Sequence, residues 1–117
     1  PDKPIIISEF GADAARGRTD AEGVWNPREE GDVFAYGAYG KTHSEDYQME
    51  LYRRYWEIAQ EEEYVVGISP WIFSDFYHPS PWFEKSLVPG YVLKGVVTRE
   101  REPKRVYHLL QSFYRNA

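Results

Sequence analysis

Two short apolar runs constrain the fold of this 117-residue chain more than any other feature. The first, Ile5 to Ser8, is too short for a helix and almost continuously apolar, which predicts a strand covered on both faces, as in a parallel sheet. The second, Tyr64 to Phe73, has the same character, with Gly67 and Pro70 marking a bulge or the strand end. A long irregular segment follows each run. We therefore predict an α/β fold with two parallel strands.

Two segments have the periodicity of amphipathic helices. The first, SEDYQMELYRRYWEIAQEEE, spans residues 44–63, with Ser44 at the N-cap position and acidic residues in the first turn. The second starts near Pro103, which we place at the first helical position. Its predicted apolar face consists of Val106, Leu109, Leu110 and Phe113. The predicted order is strand, loop, helix, strand, loop, helix.

Composition excludes several classes of function. Acidic residues outnumber basic ones by 19 to 14, and the basic residues form no large cluster, so we expect no nucleic-acid partner. No apolar run approaches the roughly 20 residues of a membrane span, so we expect no membrane partner. The chain has no cysteine, which removes disulfide and thiolate chemistry but leaves the cellular compartment open.

Aromatic residues make up 17% of the chain, and their faces can stack on sugar rings or pack in a core and a domain interface. In parallel α/β folds, ligands bind at the carboxyl ends of the strands. Glu9 closes the first strand, where it could act as a nucleophile or general base, or form a structural ion pair or loop anchor. Trp71 and Asp75 end the second strand, where they could hold a sugar ring, although each alone is commoner in a core or a loop cap.

Three motifs, PIIISEFGAD, GISPWIFSDF and KGVVTREREPKRVYHLLQSFYR, resemble in order and spacing the C-terminal end of the catalytic (β/α)8 barrel of glycoside hydrolase family 2. That family includes β-galactosidases, β-glucuronidases and β-mannosidases. The resemblance covers nearly the whole chain apart from Arg16 to Lys41. It implies that residues 1–117 are the C-terminal portion of a TIM-barrel catalytic domain, with Ile5–Ser8 as the seventh strand and Val65–Phe73 as the eighth.

The resemblance also implies a reaction. Glu9 matches the catalytic nucleophile of a retaining β-glycosidase, Trp71 matches the tryptophan that lines the sugar subsite, and the chemistry needs no metal or cofactor. A retaining enzyme needs a second carboxyl group about 5 Å from the first, and in this family it follows an asparagine. No Asn-Glu pair occurs here, and Glu22, Glu84 and Asp75 lack the expected strand context. We therefore expect a fragment that is inactive alone and needs the remainder of the barrel as its partner.

The loop before Gly95 bears on the substrate, which we expect to be a carbohydrate. Glucuronidases of the family carry Asn-x-Lys there, and this chain keeps Lys94 as a substrate-binding residue but has Val92 at the asparagine position. This departure favours a neutral β-hexoside such as a β-galactoside. The alternative function is a non-catalytic carbohydrate-binding or assembly fragment that uses its aromatic residues only for docking.

Weaker signals lie in the loops. His43 and His78 could contact sugar hydroxyls, although loop histidines are more often exposed to solvent. The basic residues near the last helix are predicted to form a solvated or interdomain face, made of Arg99, Arg101, Lys104 and Arg105.

Overall fold

The computed structural model describes residues 2–19, 43–81 and 88–116. Its elements are, in order, β1 (Ile5–Phe10), α1 (Glu45–Glu61), β2 (Val65–Pro70), β3 (Phe76–Tyr77), β4 (Tyr91–Val92) and α2 (Arg105–Arg115). The predicted order of two long strands and two helices is confirmed. The segment after β2, predicted to be irregular, adds a short antiparallel pair in which Phe76 lies opposite Val92.

The two long strands pair in parallel, as predicted, with Ile5 opposite Val65 and Phe10 opposite Pro70. The second strand ends at Pro70, three residues earlier than predicted. Because the strands are parallel and in this register, their carboxyl ends meet at one edge of the sheet. The described residues form two separate sheets of two strands each, and neither closes into a barrel.

The core lies on one side of the parallel pair. Phe10 stacks on Tyr55 with ring centroids 4.6 Å apart and packs against Tyr52 at 4.9 Å. The buried apolar cluster comprises Phe10, Tyr52, Val96, Val97, Val106 and Leu110. Ile6 and Val66, in contrast, are 67% and 62% exposed. The expectation of strands covered on both faces is therefore wrong for the described chain, because its elements cover only the side that carries Ile7 and Ile68.

The two helices begin differently. Ser44 caps α1 as predicted, because its Oγ accepts a hydrogen bond of 3.0 Å from the Tyr47 N–H. Helix α2 begins at Arg105, and the prediction that Pro103 is its first residue is wrong. Pro103 instead bridges to Val97, and the Lys104 N–H donates to the Val96 carbonyl.

The apolar face predicted for α2 is confirmed. Val106 and Leu110 are buried, and Leu109 and Phe113 pack against the same core. Trp56 of α1 stacks on Phe113 with ring centroids 4.7 Å apart, which joins the two helices. Neither described helix has both the length and the apolar character that crossing a membrane requires.

Candidate active site

Glu9 and Trp71 emerge at the same edge of the parallel sheet. Glu9 is the penultimate residue of β1, and its side chain is exposed. The Trp71 N–H donates to the Phe10 carbonyl at 2.8 Å, so the strand ladder continues past the end of β2. Gly11 permits this approach, because a Cβ atom there would lie 2.3 Å from the Trp71 carbonyl oxygen. The structure brings the two predicted residues onto adjacent strand ends, while their chemical roles stay predictions.

Trp71 lies between an aromatic ring and a cation. Phe76 meets its indole edge to face with centroids 5.6 Å apart, and the Lys94 Nζ lies 6.0 Å from the indole centroid. All three side chains are half-buried, and the Trp71–Ile72 peptide bond is cis. An apolar ring face beside an ammonium group suits a ligand that combines a sugar ring with negative charge. The structure thus places Lys94 beside Trp71, while the role of both residues in binding a sugar stays a prediction.

The backbone around Lys94 is bound to two other segments. Its carbonyl accepts a hydrogen bond of 3.1 Å from the Ile72 N–H. The preceding Leu93 N–H donates to the Asp13 Oδ1 at 3.0 Å, and the Leu93 carbonyl accepts from the Ala14 N–H at 2.9 Å. The chain after β1 and the chain after β2 therefore both fix the position of Lys94.

Asp75 is buried and bonded to the residue that follows Lys94. It is 7% exposed, and its Oδ1 accepts hydrogen bonds from the Lys104 Nζ at 2.7 Å and from the Gly95 N–H at 2.8 Å. Burial raises the pKa of the Asp75 carboxyl, against the opposing effect of the Lys104 ammonium. Burial likewise lowers the pKa of Lys104, although Asp75 favours its charged form. The hydrogen bonds of Asp75 to Lys104 and Gly95 lie within the chain and do not test its predicted contact with a sugar. That contact stays a prediction.

Two loop predictions are corrected. Lys104 is 1% exposed and bonded within the chain, so its assignment to a solvated or interdomain face is wrong, whereas Arg99, Arg101 and Arg105 are exposed as expected. The Lys104 ammonium has three hydrogen-bond acceptors in the interior, which replace its contacts with water.

His43 is 4% exposed, which contradicts the expected solvent exposure, and its Nε2 lies 3.7 Å from the Asp13 Oδ2.

Sequence reasoning missed Gln48. This residue is buried, and its Nε2 donates to the carbonyls of Ala12 and Gly95 at 3.1 and 3.2 Å. A signal was available, because Gln48 precedes Leu51 and Tyr52 by three and four positions on the inward face of α1. A polar side chain on an apolar helix face indicates a buried hydrogen-bond partner.

Two of the three acidic residues considered for the second carboxyl group, Glu22 and Glu84, lie outside the described residues. The second carboxyl group that a retaining glycosidase requires therefore has no assigned position. Within residues 2–19, 43–81 and 88–116, no group of three or more histidine and acidic side chains is arranged to hold a metal ion.

Comparison with curated proteins identifies relatives along nearly the whole chain, while no family model matches it. A β-glucuronidase from Paenibacillus borealis is 31% identical over 110 residues, which cover 94% of this chain and 15% of the relative. A β-glucuronidase from Rattus norvegicus is 36% identical over 115 residues, which cover 96% of this chain and 14% of the relative. The chain thus spans about one-seventh of the length of these relatives.

Solved structures give the same result. A GH2 β-galacturonidase from Eisenbergiella tayi bound to galacturonate matches 98% of this chain and 18% of its own with a TM-score of 0.73 and 27% identity. A β-D-glucuronidase of Dictyoglomus thermophilum matches 98% of this chain and 16% of its own with a TM-score of 0.70 and 33% identity. These relatives act on uronides by name, so the expectation of a neutral galactoside is not supported. The chain is therefore similar, along nearly its whole length, to part of the enzymes of glycoside hydrolase family 2.

Proposed function

We propose that this chain supplies the nucleophile and part of the sugar subsite of a retaining β-glycosidase that hydrolyses β-hexuronides. The observation that carries the proposal is the placement of Glu9 and Trp71 on adjacent strand ends, with the Lys94 ammonium 6.0 Å from the indole centroid. An exposed carboxylate on a paired strand has the rigid backbone and free approach that a nucleophile needs.

In the proposed reaction, a Glu9 carboxylate oxygen attacks the anomeric carbon while the bond to the leaving-group oxygen breaks. A second carboxyl group protonates that oxygen and then removes a proton from the water that hydrolyses the glycosyl ester. The sequence contains no Asn-Glu pair for this second group. We therefore assign it to the remainder of the enzyme, with β1 and β2 as the seventh and eighth strands of a barrel. Residues 1–117 are then inactive alone.

Lys94 carries the proposed selectivity for a uronide. Its ammonium would pair with the C6 carboxylate while the Trp71 indole covers an apolar face of the sugar. Val92, at the position of the asparagine in the Asn-x-Lys motif, is 3% exposed and offers no side-chain hydrogen bond. Recognition of the carboxylate by this segment therefore rests on Lys94. The uronidase relatives described above support this substrate class over a neutral hexoside.

Covalent trapping tests the nucleophile and the sugar together. The chain and the whole protein are each incubated with dinitrophenyl 2-deoxy-2-fluoro-β-glucuronide and with the matching galactoside, followed by intact-mass measurement and peptide mapping. The dinitrophenolate departs without acid assistance, so the step depends chiefly on the nucleophile. We expect the glucuronide to form an adduct on Glu9 of the whole protein, faster than the galactoside does.

Matched variants make this result specific. Glu9→Gln should abolish the adduct and lower turnover by at least about 10³-fold, because the covalent route is lost. Glu100→Gln, an exposed loop change, should leave both unchanged. An adduct on another residue, or unimpaired turnover in Glu9→Gln, would contradict the role of Glu9. Trapping by the galactoside alone would contradict the substrate class.

A further inference from the structure

We propose that Lys104, Asp75 and Gln48 are positioning residues that fix Lys94 for recognition of the substrate carboxylate. All three side chains are buried and bind the backbone on either side of Lys94. The inference rests on the proposed function, because it gives these residues a role in selecting a uronide over a neutral sugar.

The Lys104 ammonium donates hydrogen bonds to three separate parts of the chain. Its Nζ donates to the Ala14 carbonyl at 2.7 Å, to the Asp75 Oδ1 at 2.7 Å and to the Leu93 carbonyl at 2.9 Å. These three acceptors match the three protons of an ammonium group. Lys104 thereby joins the chain after β1 to the residue that immediately precedes Lys94.

The residue that follows Lys94 is held in the same way. The Gly95 N–H donates to the Asp75 Oδ1 at 2.8 Å, and the Gly95 carbonyl accepts from the Gln48 Nε2 at 3.2 Å. No side chain fits at this position, because a Cβ atom on Gly95 would lie 2.2 Å from the Asp75 backbone nitrogen. The Asp75 Oδ1 thus accepts from both Gly95, which follows Lys94, and Lys104, which binds the carbonyl of the preceding Leu93.

These bonds leave Lys94 a fixed backbone and a side chain that extends to the indole ring. Its own carbonyl is bound by the Ile72 N–H, so each of residues 93, 94 and 95 has at least one main-chain hydrogen bond. Lys104 and Gln48 are almost completely buried, so they act on the site through the chain that they hold. A recognition group on a rigid stem loses less conformational freedom when it binds, and a small misplacement weakens it strongly.

The experiment measures selectivity in the whole protein. For each variant, kcat/KM is determined with dinitrophenyl β-glucuronide and with dinitrophenyl β-glucoside, and the ratio of the two values is compared. Lys94→Ala is the reference, and it should lower the ratio by about 10- to 100-fold, as loss of a charge-assisted hydrogen bond predicts. Lys104→Met should lower the ratio by about tenfold, mainly through KM for the glucuronide. Arg105→Met, at the exposed neighbouring position, should leave the ratio unchanged.

Gln48→Met keeps the proposal testable if Lys104→Met does not fold, because it leaves no buried charge behind. It should lower the ratio by a smaller factor, and Gln60→Met on the exposed face of α1 is its control. If the foldable positioning variants slow both substrates equally while Lys94→Ala changes the ratio, the positioning role is overturned and the proposed function survives. If Lys94→Ala leaves the ratio unchanged, uronide recognition by Lys94 fails, and the positioning role fails with it.

Discussion

Lys104 and Arg105 are neighbours with the same charge at the start of α2, yet the structure uses them differently. Lys104 is buried against Asp75, with side chains 0% and 7% exposed. Arg105 pairs with Asp46 of α1, with side chains 50% and 30% exposed. A buried charge must replace all its lost water contacts, whereas an exposed pair keeps most of them. Burial therefore decides whether an ion pair constrains the fold or contributes little to its stability.

The largest effect should follow removal of one partner of the buried pair. Asp75→Asn leaves the Lys104 ammonium without its counter-charge, and the expected loss of stability is about 3 kcal/mol. Thermal unfolding of the whole protein measures this loss. The double variant Asp75→Asn with Lys104→Met removes both charges and should be more stable than Asp75→Asn alone. If the loss in the double variant equals the sum of the losses in Asp75→Asn and Lys104→Met, the two residues are not coupled, and the contrast with Arg105 disappears.

Removal of the exposed partner should have a much smaller effect. Arg105→Ala should lower stability by less than about 1 kcal/mol, because solvent screens the pair with Asp46. The Arg105 backbone N–H, which donates to the Glu45 Oε1 at 2.7 Å, remains in the variant. Thermal unfolding at low and at high salt measures this loss, and added salt should shrink the difference in stability between Arg105→Ala and the parent protein. A loss as large as that of Asp75→Asn would show that exposure does not separate the two pairs.

The same contrast explains what the sequence could predict. Helix α1 and strand β1 follow from local periodicity, and the Ser44 cap follows from residues three positions apart. The Asp75–Lys104 pair joins positions 29 residues apart, and no local pattern reports whether a lysine near a helix start turns inward. Glu9 and Trp71 could be placed at one edge because parallel strands share that edge.

Coverage of the strands was predicted less well, for a related reason. The apolar run at β1 indicates burial on both faces, but Ile6 is exposed in the described chain. A run of apolar residues indicates that a strand is buried, but the residues that cover it come from other parts of the sequence. The same limit applies to Lys94, whose recognition role depends on supports that come from α1 and the start of α2.

The smallest effect on stability is expected at Tyr52, a buried polar residue whose hydroxyl has no partner among the described residues. Its side chain is fully buried in the core, and within the described ranges its hydroxyl makes no hydrogen bond. Burial raises the pKa of Tyr52 well above its ordinary value of 10.0. Tyr52→Phe should therefore change stability at neutral pH by less than about 1 kcal/mol, because no bond is lost.

The difference should appear at alkaline pH. Above about pH 10 the unfolded chain releases the Tyr52 proton while the folded chain retains it, so stability that is present below that pH is lost as the pH rises. Tyr52→Phe removes this loss, and its unfolding temperature should fall less between pH 7 and about pH 10.5 than that of the parent protein. Tyr47→Phe, at a position that is 43% exposed, is the matched control and should follow the parent. An equal fall in unfolding temperature in Tyr52→Phe and the parent would mean that burial does not suppress ionisation of the Tyr52 hydroxyl. Burial would then not control the charge of polar groups in this core.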